Sequence, residues 1–195
     1  MLIFAGHDKY KKLGFYSILI ITVICLAYST FSATWYSVSL HRRLGIRING
    51  SLPLAMAAIP AFLFGLGLLT GRLSEPLAGI HAEIAGWLLL GLIGIKIMLE
   101  ALKFYPEERV VLTDTWQAAL LLALAGSINA FFAGLGLGLV FDAIFIPVGI
   151  MFVVSLLYAL AGILLGNAQG YKTTPARLGI IAGSVVVFIS IRMLF

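Results

Sequence analysis

The sequence has a single cysteine and few charged residues. Cys25 has no second cysteine to pair with, so the chain can form no internal disulfide and no cysteine cluster for zinc or iron–sulfur. Charged residues are 11% of the 195 residues, whereas hydrophobic residues are 62% and the mean hydropathy is +1.10. A soluble domain has too little interior to bury that much apolar surface. The composition therefore predicts a protein that lies in lipid.

The signatures of common enzyme classes are also missing. There is no nucleophile elbow, no phosphate-binding loop ending in Lys-Ser/Thr and no HExxH helix. The net charge of +5 comes from basic residues scattered through loops, which is typical of a membrane protein rather than of a nucleic-acid-binding patch. We predict that the chain is not an enzyme, has no resident cofactor and binds no nucleic acid. Heme or quinone binding stays open, although no histidine lies clearly in mid-membrane.

Six apolar segments follow one another, each near the ~20 residues that cross a bilayer. They cover about 14–40, 52–70, 80–102, 115–139, 143–165 and 176–195. Gly71 to Pro76 is interpreted as a turn, His41 as part of a basic turn, and 103–114 as the most charged connection. We predict one all-α integral membrane domain over residues 1–195. The lysines and apolar run of the first segment also fit a secretory signal peptide.

The fourth segment contains a stripe of small residues that recurs every four positions: Gly126, Ala130, Gly134 and Gly138. On a helix this stripe allows another helix to approach closely. Asn129 lies beside the stripe, where lipid cannot satisfy its amide, so it should face protein, water or a solute.

The two halves of the sequence resemble each other. LAYSTFSATWYSVSL in segment 1 aligns with LAGSINAFFAGLGLGL in segment 4. The alignment pairs Ser29 with Gly126, Ala33 with Ala130, Ser37 with Gly134, and Ser32 with Asn129. We predict two three-helix repeats, about 14–104 and 114–195, which cross the membrane in opposite directions because three is odd. Secondary carriers commonly have this architecture, with the site at the repeat interface, although a duplication can also serve structure alone.

The basic residues also bear on orientation. If the N-terminus is outside, the inner loops contain seven basic residues: Arg42, Arg43, Arg47, Lys103, Arg109, Lys172 and Arg177. If the N-terminus is inside, the inner side contains four: Lys9, Lys11, Lys12 and Arg72. The positive-inside rule then favours both termini outside, although the three lysines near the N-terminus argue for the reverse.

These features resemble the small manganese efflux pumps of the MntP type, within the lysine-exporter superfamily. The resemblance covers nearly the whole chain after about residue 15, and rests on the repeat, on GSINAFFAGLGLGL and on IGIKIMLEALKF from Ile93 to Phe104. Family members typically carry a Ser-x-Asp-Ala core in segments 1 and 4. Here the cores read Thr30-Phe31-Ser32-Ala33 and Ser127-Ile128-Asn129-Ala130, so both aspartates are replaced.

The resemblance implies export of Mn²⁺, or of another metal cation or small solute, by alternating access in a bacterial inner membrane. It implies a substrate path of Ser32, Asn129, Glu100, Ser127 and Thr30, with Asn129, Glu100 and Ser32 as metal ligands. Ser29, Ala33 and Ser37 join the four small residues of segment 4 as helix-packing positions. Mn²⁺ prefers carboxylate, carbonyl and water oxygens, so losing two carboxylates should weaken its binding.

Each of these residues also has a structural interpretation. Asn129 could form a packing hydrogen bond between helices, and Ser or Thr could bond to their own helix. Glu100 could simply lie at the membrane interface and pair with Lys96 or Lys103, since Lys96 is one turn away. The alternative function is a non-transporting accessory or structural subunit that kept the fold. Its partners would be lipid and either a second copy or another membrane protein.

Overall fold

The computed structural model describes residues 2–45, 50–102, 115–169 and 174–195. The connection predicted at 103–114, and with it Lys103 and Arg109, lies outside the described residues, as do Arg47 and Lys172. The side chains of the three N-terminal lysines are likewise outside the description.

Six α-helices make up nearly all of the described chain, and no strand occurs among those residues. They are α1 (Leu2–Leu44), α2 (Leu52–Ala78), α3 (Ala82–Leu102), α4 (Trp116–Gly138), α5 (Phe145–Gln169) and α6 (Thr174–Leu194). Each contains a stretch long and apolar enough to cross a membrane. This confirms the prediction of an all-α, multi-pass integral membrane protein with six spans.

The end of α2 differs from the sequence prediction. The turn predicted from Gly71 to Pro76 is wrong, because α2 continues through both residues to Ala78. The helix ends at Gly79, whose φ of 56° favours glycine and whose N–H bonds to the carbonyl of Glu75. Gly71 instead lies against α4, where a Cβ would come within 2.2 Å of the Leu135 carbonyl oxygen. The glycine interpreted as a helix breaker is therefore a packing residue.

The two halves of the chain pack across each other. The most extensive helix contacts are α2 with α4, α3 with α6, and α1 with α5. In the α2–α4 pair the helices touch through glycine: a Cβ at Gly134 would lie 2.2 Å from the Phe64 carbonyl oxygen, and one at Gly138 would lie 2.3 Å from that of Leu68. In the α1–α5 pair a Cβ at Gly162 would lie 3.0 Å from the Phe31 carbonyl oxygen. Such contacts replace the hydrophobic driving force that lipid does not provide.

Helix α1 is rich in buried hydroxyl groups that bond to its own backbone. Thr22 donates to the carbonyl of Ile18 at 2.8 Å, and Ser39 donates to that of Trp35 at 2.8 Å. His41, predicted in a basic turn, lies inside α1 and is fully buried, with Nδ1 2.8 Å from the carbonyl oxygen of Ser37. Thr22 and His41 thus find acceptors within α1, whereas the Ser39 hydroxyl also has the Gly166 carbonyl of α5 as an acceptor at 3.3 Å.

Arginines connect helix ends at two places. Arg72 near the end of α2 donates to the backbone carbonyl of Asp142 at 3.0 Å and pairs with its carboxylate at 3.9 Å. Arg42 near the end of α1 donates to the carbonyl of Asn167 in α5. Each contact lies at the end of one of the crossed helix pairs.

Candidate functional site

One cavity of about 290 Å³ brings together residues from α1, α3 and α4. Its lining includes three residues of the predicted path, namely Ser32, Asn129 and Glu100. We call it the central pocket. The other lining residues are Ser29, Ala33, Tyr36, Lys96, Leu122, Ala125 and Gly126.

Helical spacing explains how three helices provide this lining. The α1 contribution runs from Ser29 to Tyr36 at steps of three, one and three residues, which is one face of a helix. The α4 contribution runs from Leu122 to Asn129 at the same steps. Small residues on both faces leave the space open, and a Cβ at Gly126 would meet nothing within 4 Å.

Lys96 is the centre of the polar contacts in the pocket. Its ammonium Nζ donates to Oδ1 of Asn129 at 2.5 Å, which joins α3 to α4. The same Nζ lies 3.7 Å from Oε1 of Glu100, one helical turn further along α3. The Lys96 and Glu100 side chains are 50% and 33% exposed, so protein does not fully enclose either of them. Asn129 itself is 7% exposed.

The pocket offers oxygen ligands rather than a preformed metal cluster. Glu100 supplies a carboxylate, Asn129 an amide oxygen and Ser32 a hydroxyl, which are hard ligands of the kind Mn²⁺ prefers. Within the described part of the chain, no three His, Cys, Asp or Glu side chains lie close enough to hold a metal. The described residues therefore present one anionic oxygen ligand together with neutral oxygens.

Two residues of the predicted path lie outside this lining. Ser127 is fully buried and donates to the carbonyl of Ala123 at 2.5 Å, one turn back on its own helix. Thr30 is also buried, at 3% exposure, and its carbonyl accepts from Thr34 at 2.7 Å. A role for either in transport remains a prediction.

The predicted packing residues divide into two groups. Gly134 and Gly138 contact the backbone of α2, and Ala130 belongs to the buried core. Ser37 is fully buried in α1. The others, Ser29, Ala33 and Gly126, line the pocket instead, and the Ser29 hydroxyl donates to the carbonyl of Leu26 at 3.2 Å.

The sequence interpretation did not place Lys96 or Tyr36 in the site. Lys96 was interpreted as a residue of the family motif that ends segment 3 and as half of a helix-surface pair with Glu100, but not as a residue of the substrate path. A stronger signal was its position, since it lies well inside an apolar span, where a charged side chain needs a polar environment. Tyr36 could have been found from its spacing to Ser29 and Ser32 on one face of α1.

Comparison with known proteins gives a family match. The family described as "Putative manganese efflux pump" matches residues 51–194. No solved structure matches the chain.

Several curated proteins, each named "Putative manganese efflux pump MntP", are similar over most of their length. The protein from Methanospirillum hungatei is 30% identical over 173 residues, covering 87% of this chain and 85% of the relative. The one from Crocosphaera subtropica is 31% identical over 153 residues, covering 76% and 80%. The one from Methanothermobacter thermautotrophicus is 28% identical over 167 residues, covering 82% and 87%.

Proposed function

Since the chain belongs to the manganese efflux pump family, we propose that it exports Mn²⁺ by alternating access through the central pocket. The observation that carries the proposal is the convergence of Ser32, Asn129 and Glu100 on one cavity, although they lie far apart in the sequence. The family gives the chain its class, a membrane transporter, and this pocket is where we place its substrate.

The depth of the pocket supports this assignment. Asn129 lies near the middle of α4 and Ser32 near the middle of the span Tyr16–Leu44, and the pocket extends from there to Glu100, two residues before the end of α3. Carriers built from repeats bind their substrates near the membrane midplane, between the repeats. A polar cavity at that depth has little structural benefit, because polar groups in hydrocarbon are costly.

The oxygen ligands of the pocket suit a cation that is transported better than one that is held tightly. One carboxylate with neutral oxygens should hold a divalent cation weakly, because most of the binding energy of such an ion comes from nearby anions. A transported ion must bind strongly enough to enter and weakly enough to leave. The replacement of both family aspartates is therefore compatible with export at high internal Mn²⁺.

The crossed packing supports the inverted repeat. In an inverted repeat, α1, α2 and α3 correspond to α4, α5 and α6. The contact of α1 with α5 then corresponds to that of α4 with α2, and the contact of α3 with α6 corresponds to itself. These are the three most extensive helix contacts of the structure. The two glycines of α2 that contact α4, Gly67 and Gly71, also have counterparts in Gly162 and Gly166 of α5, which contact α1. We propose that the halves are related by a two-fold axis in the membrane plane and rock about the pocket.

A second candidate function is that of a non-transporting subunit. It is favoured by the Lys96–Asn129 hydrogen bond, which uses the amide that replaces an aspartate as a link between helices. Such a subunit would copurify with a fixed partner and would not be stabilised by Mn²⁺.

Growth and metal content of a manganese-exporter-deficient bacterial strain test the two functions. We expect the wild-type chain to restore growth under manganese stress and to lower cell manganese, and Glu100→Gln to abolish both effects. Glu83→Gln is the matched control, because Glu83 is an exposed residue of the same helix outside the pocket. Membrane insertion of every variant is verified by immunoblotting of the membrane fraction.

Two results would contradict the proposal. If the inserted wild-type chain leaves cell manganese unchanged, manganese export is wrong and the accessory function is favoured. If Glu100→Gln and Glu83→Gln both export as well as the wild type, the chain transports but the central pocket is not the path.

A further inference from the structure

The central pocket already contains a cation, the ammonium group of Lys96. Its Nζ donates to Oδ1 of Asn129 at 2.5 Å and lies 3.7 Å from Oε1 of Glu100. An ammonium is a donor only, so the amide oxygen must face it. The strongest anionic and amide ligands of the pocket are thus both engaged by one side chain of the protein.

These two oxygens are also the ones that a transported cation needs. Among the described residues of the lining, Glu100 is the one carboxylate, and Asn129 provides its side-chain amide oxygen. A cation bound to both would lie within a few ångströms of the ammonium in its present position. Like charges at that separation repel strongly, and more strongly in a membrane interior than in water.

Lys96 has room to move away. Its side chain is half exposed, and lysine has a flexible four-carbon stem that carries its charge as a point. Its hydrogen bond is made to a neutral amide rather than to a carboxylate. The link that must break is therefore a single hydrogen bond and a long ion pair.

The position of Lys96 also stabilises the pocket when no exported cation is bound. A carboxylate within a membrane span is costly, and the nearby Lys96 ammonium offsets part of the Glu100 charge. From these contacts we propose that Lys96 is a tethered counter-cation. Its ammonium occupies the central pocket when no exported cation is bound, and the exported cation must displace it. The inference rests on the proposed function, and it assigns Lys96 as the residue that sets cation affinity.

Equilibrium binding of Mn²⁺ to the purified full-length protein in lipid nanodiscs tests this inference, with free Mn²⁺ measured by electron paramagnetic resonance. Lys96→Met removes the charge and keeps an unbranched stem, so it should lower the Kd at least about tenfold. Lys96→Arg keeps the charge and should bind no more tightly than the wild type. A merely structural role for Lys96 predicts that both substitutions weaken binding or leave it unchanged.

Displacement of the side chain has its own measurement. The rate at which an amine-reactive reagent modifies Lys96, followed by mass spectrometry, should rise when Mn²⁺ is added to the wild type. It should not change in Glu100→Gln, in which the cation loses its carboxylate ligand.

The outcomes separate this inference from the proposed function. If the wild type binds Mn²⁺ and Lys96→Met binds it equally or less tightly, the counter-cation is wrong while the export function stands. If neither the wild type nor Lys96→Met binds Mn²⁺, both are wrong. Tighter binding in Lys96→Met but not in Lys96→Arg, with faster labelling on Mn²⁺ addition, supports both.

Discussion

Asn129 shows how one side chain can set the charge of a membrane site. It has the shape of an aspartate but no charge, and its amide oxygen is held by Lys96 at 2.5 Å. Among the described lining residues, Lys96 and Glu100 carry opposite charges. An aspartate at this position would add one negative charge without changing the volume of the pocket. The affinity of the pocket for cations should therefore depend on this residue.

We expect Asn129→Asp to tighten Mn²⁺ binding about tenfold or more, because a carboxylate attracts a divalent ion far more strongly than an amide does. The measurement is a Mn²⁺ titration of the purified protein. Asn167→Asp is the control, since it makes the same change at an exposed position at the end of α5. Equal affinity in wild type and Asn129→Asp would show that the ion does not approach this side chain.

Glycines of α4 should differ sharply in what they tolerate. At Gly134 a Cβ would lie 2.2 Å from the Phe64 carbonyl oxygen, whereas at Gly126 it would enter open space. We expect Gly134→Ala to destabilise the protein by about 1–3 kcal/mol through overpacking. Gly126→Ala should be neutral or stabilising by up to ~1 kcal/mol, since alanine favours the helix. Thermal unfolding in detergent compares the two, and similar melting temperatures would argue against close contact of α2 with α4.

At the scale of helices, the contact between α2 and the α4–α5 link uses two acceptors on one residue. Arg72 bonds the backbone carbonyl of Asp142 and approaches its carboxylate less closely, at 3.9 Å. The carboxylate is 91% exposed, and exposed ion pairs contribute little to stability. The backbone hydrogen bond should therefore matter more than the charge of Asp142.

This arrangement predicts unequal effects of removing either partner. Asp142→Asn keeps the backbone carbonyl, so its melting temperature should match that of the wild type. Arg72→Ala loses both contacts and should melt at a lower temperature. A larger loss in Asp142→Asn than in Arg72→Ala would mean that the ion pair dominates.

Helix positions could be predicted from the sequence because bilayer thickness fixes span length and apolar composition marks each span. The end of α2 could not, because Gly71 and Pro76 have the composition of a turn in an isolated sequence. Only the approach of α4 shows why glycine is needed at position 71. The pocket was partly predictable, since comparing the halves picked out Ser32 and Asn129. The contact of Lys96 with Asn129 depends on how α3 lies against α4, which neither spacing nor composition determines.

At the scale of the whole molecule, neither half has a complete interior of its own. Helix α1 packs on α5 and α4 packs on α2, so each half covers the other. The buried core likewise combines residues of both, such as Leu26 and Trp87 with Ala133 and Met151. Stability should therefore depend on both halves together.

We expect fragments cut within 103–114 to be degraded or to aggregate when expressed singly, because each exposes packing surfaces meant for the other. When expressed together, they should copurify and recover Mn²⁺ binding. Affinity purification through a tag on one fragment measures this. A stable, monodisperse single fragment would show that the halves do not depend on each other.

The back-bonded hydroxyls of α1 have a consequence for biosynthesis. Helix α1 leaves the ribosome before its main partner, α5, which begins at Phe145, more than 100 residues after the end of α1. Until α5 is inserted, α1 lies in the bilayer with several polar side chains that have no partner on α5. The hydrogen bonds of Thr22, Thr34 and Ser39 to backbone carbonyls of α1 satisfy these hydroxyls before α5 is present. The order of the chain thus requires that the buried hydroxyls of α1 have acceptors within α1 before α5 enters the membrane.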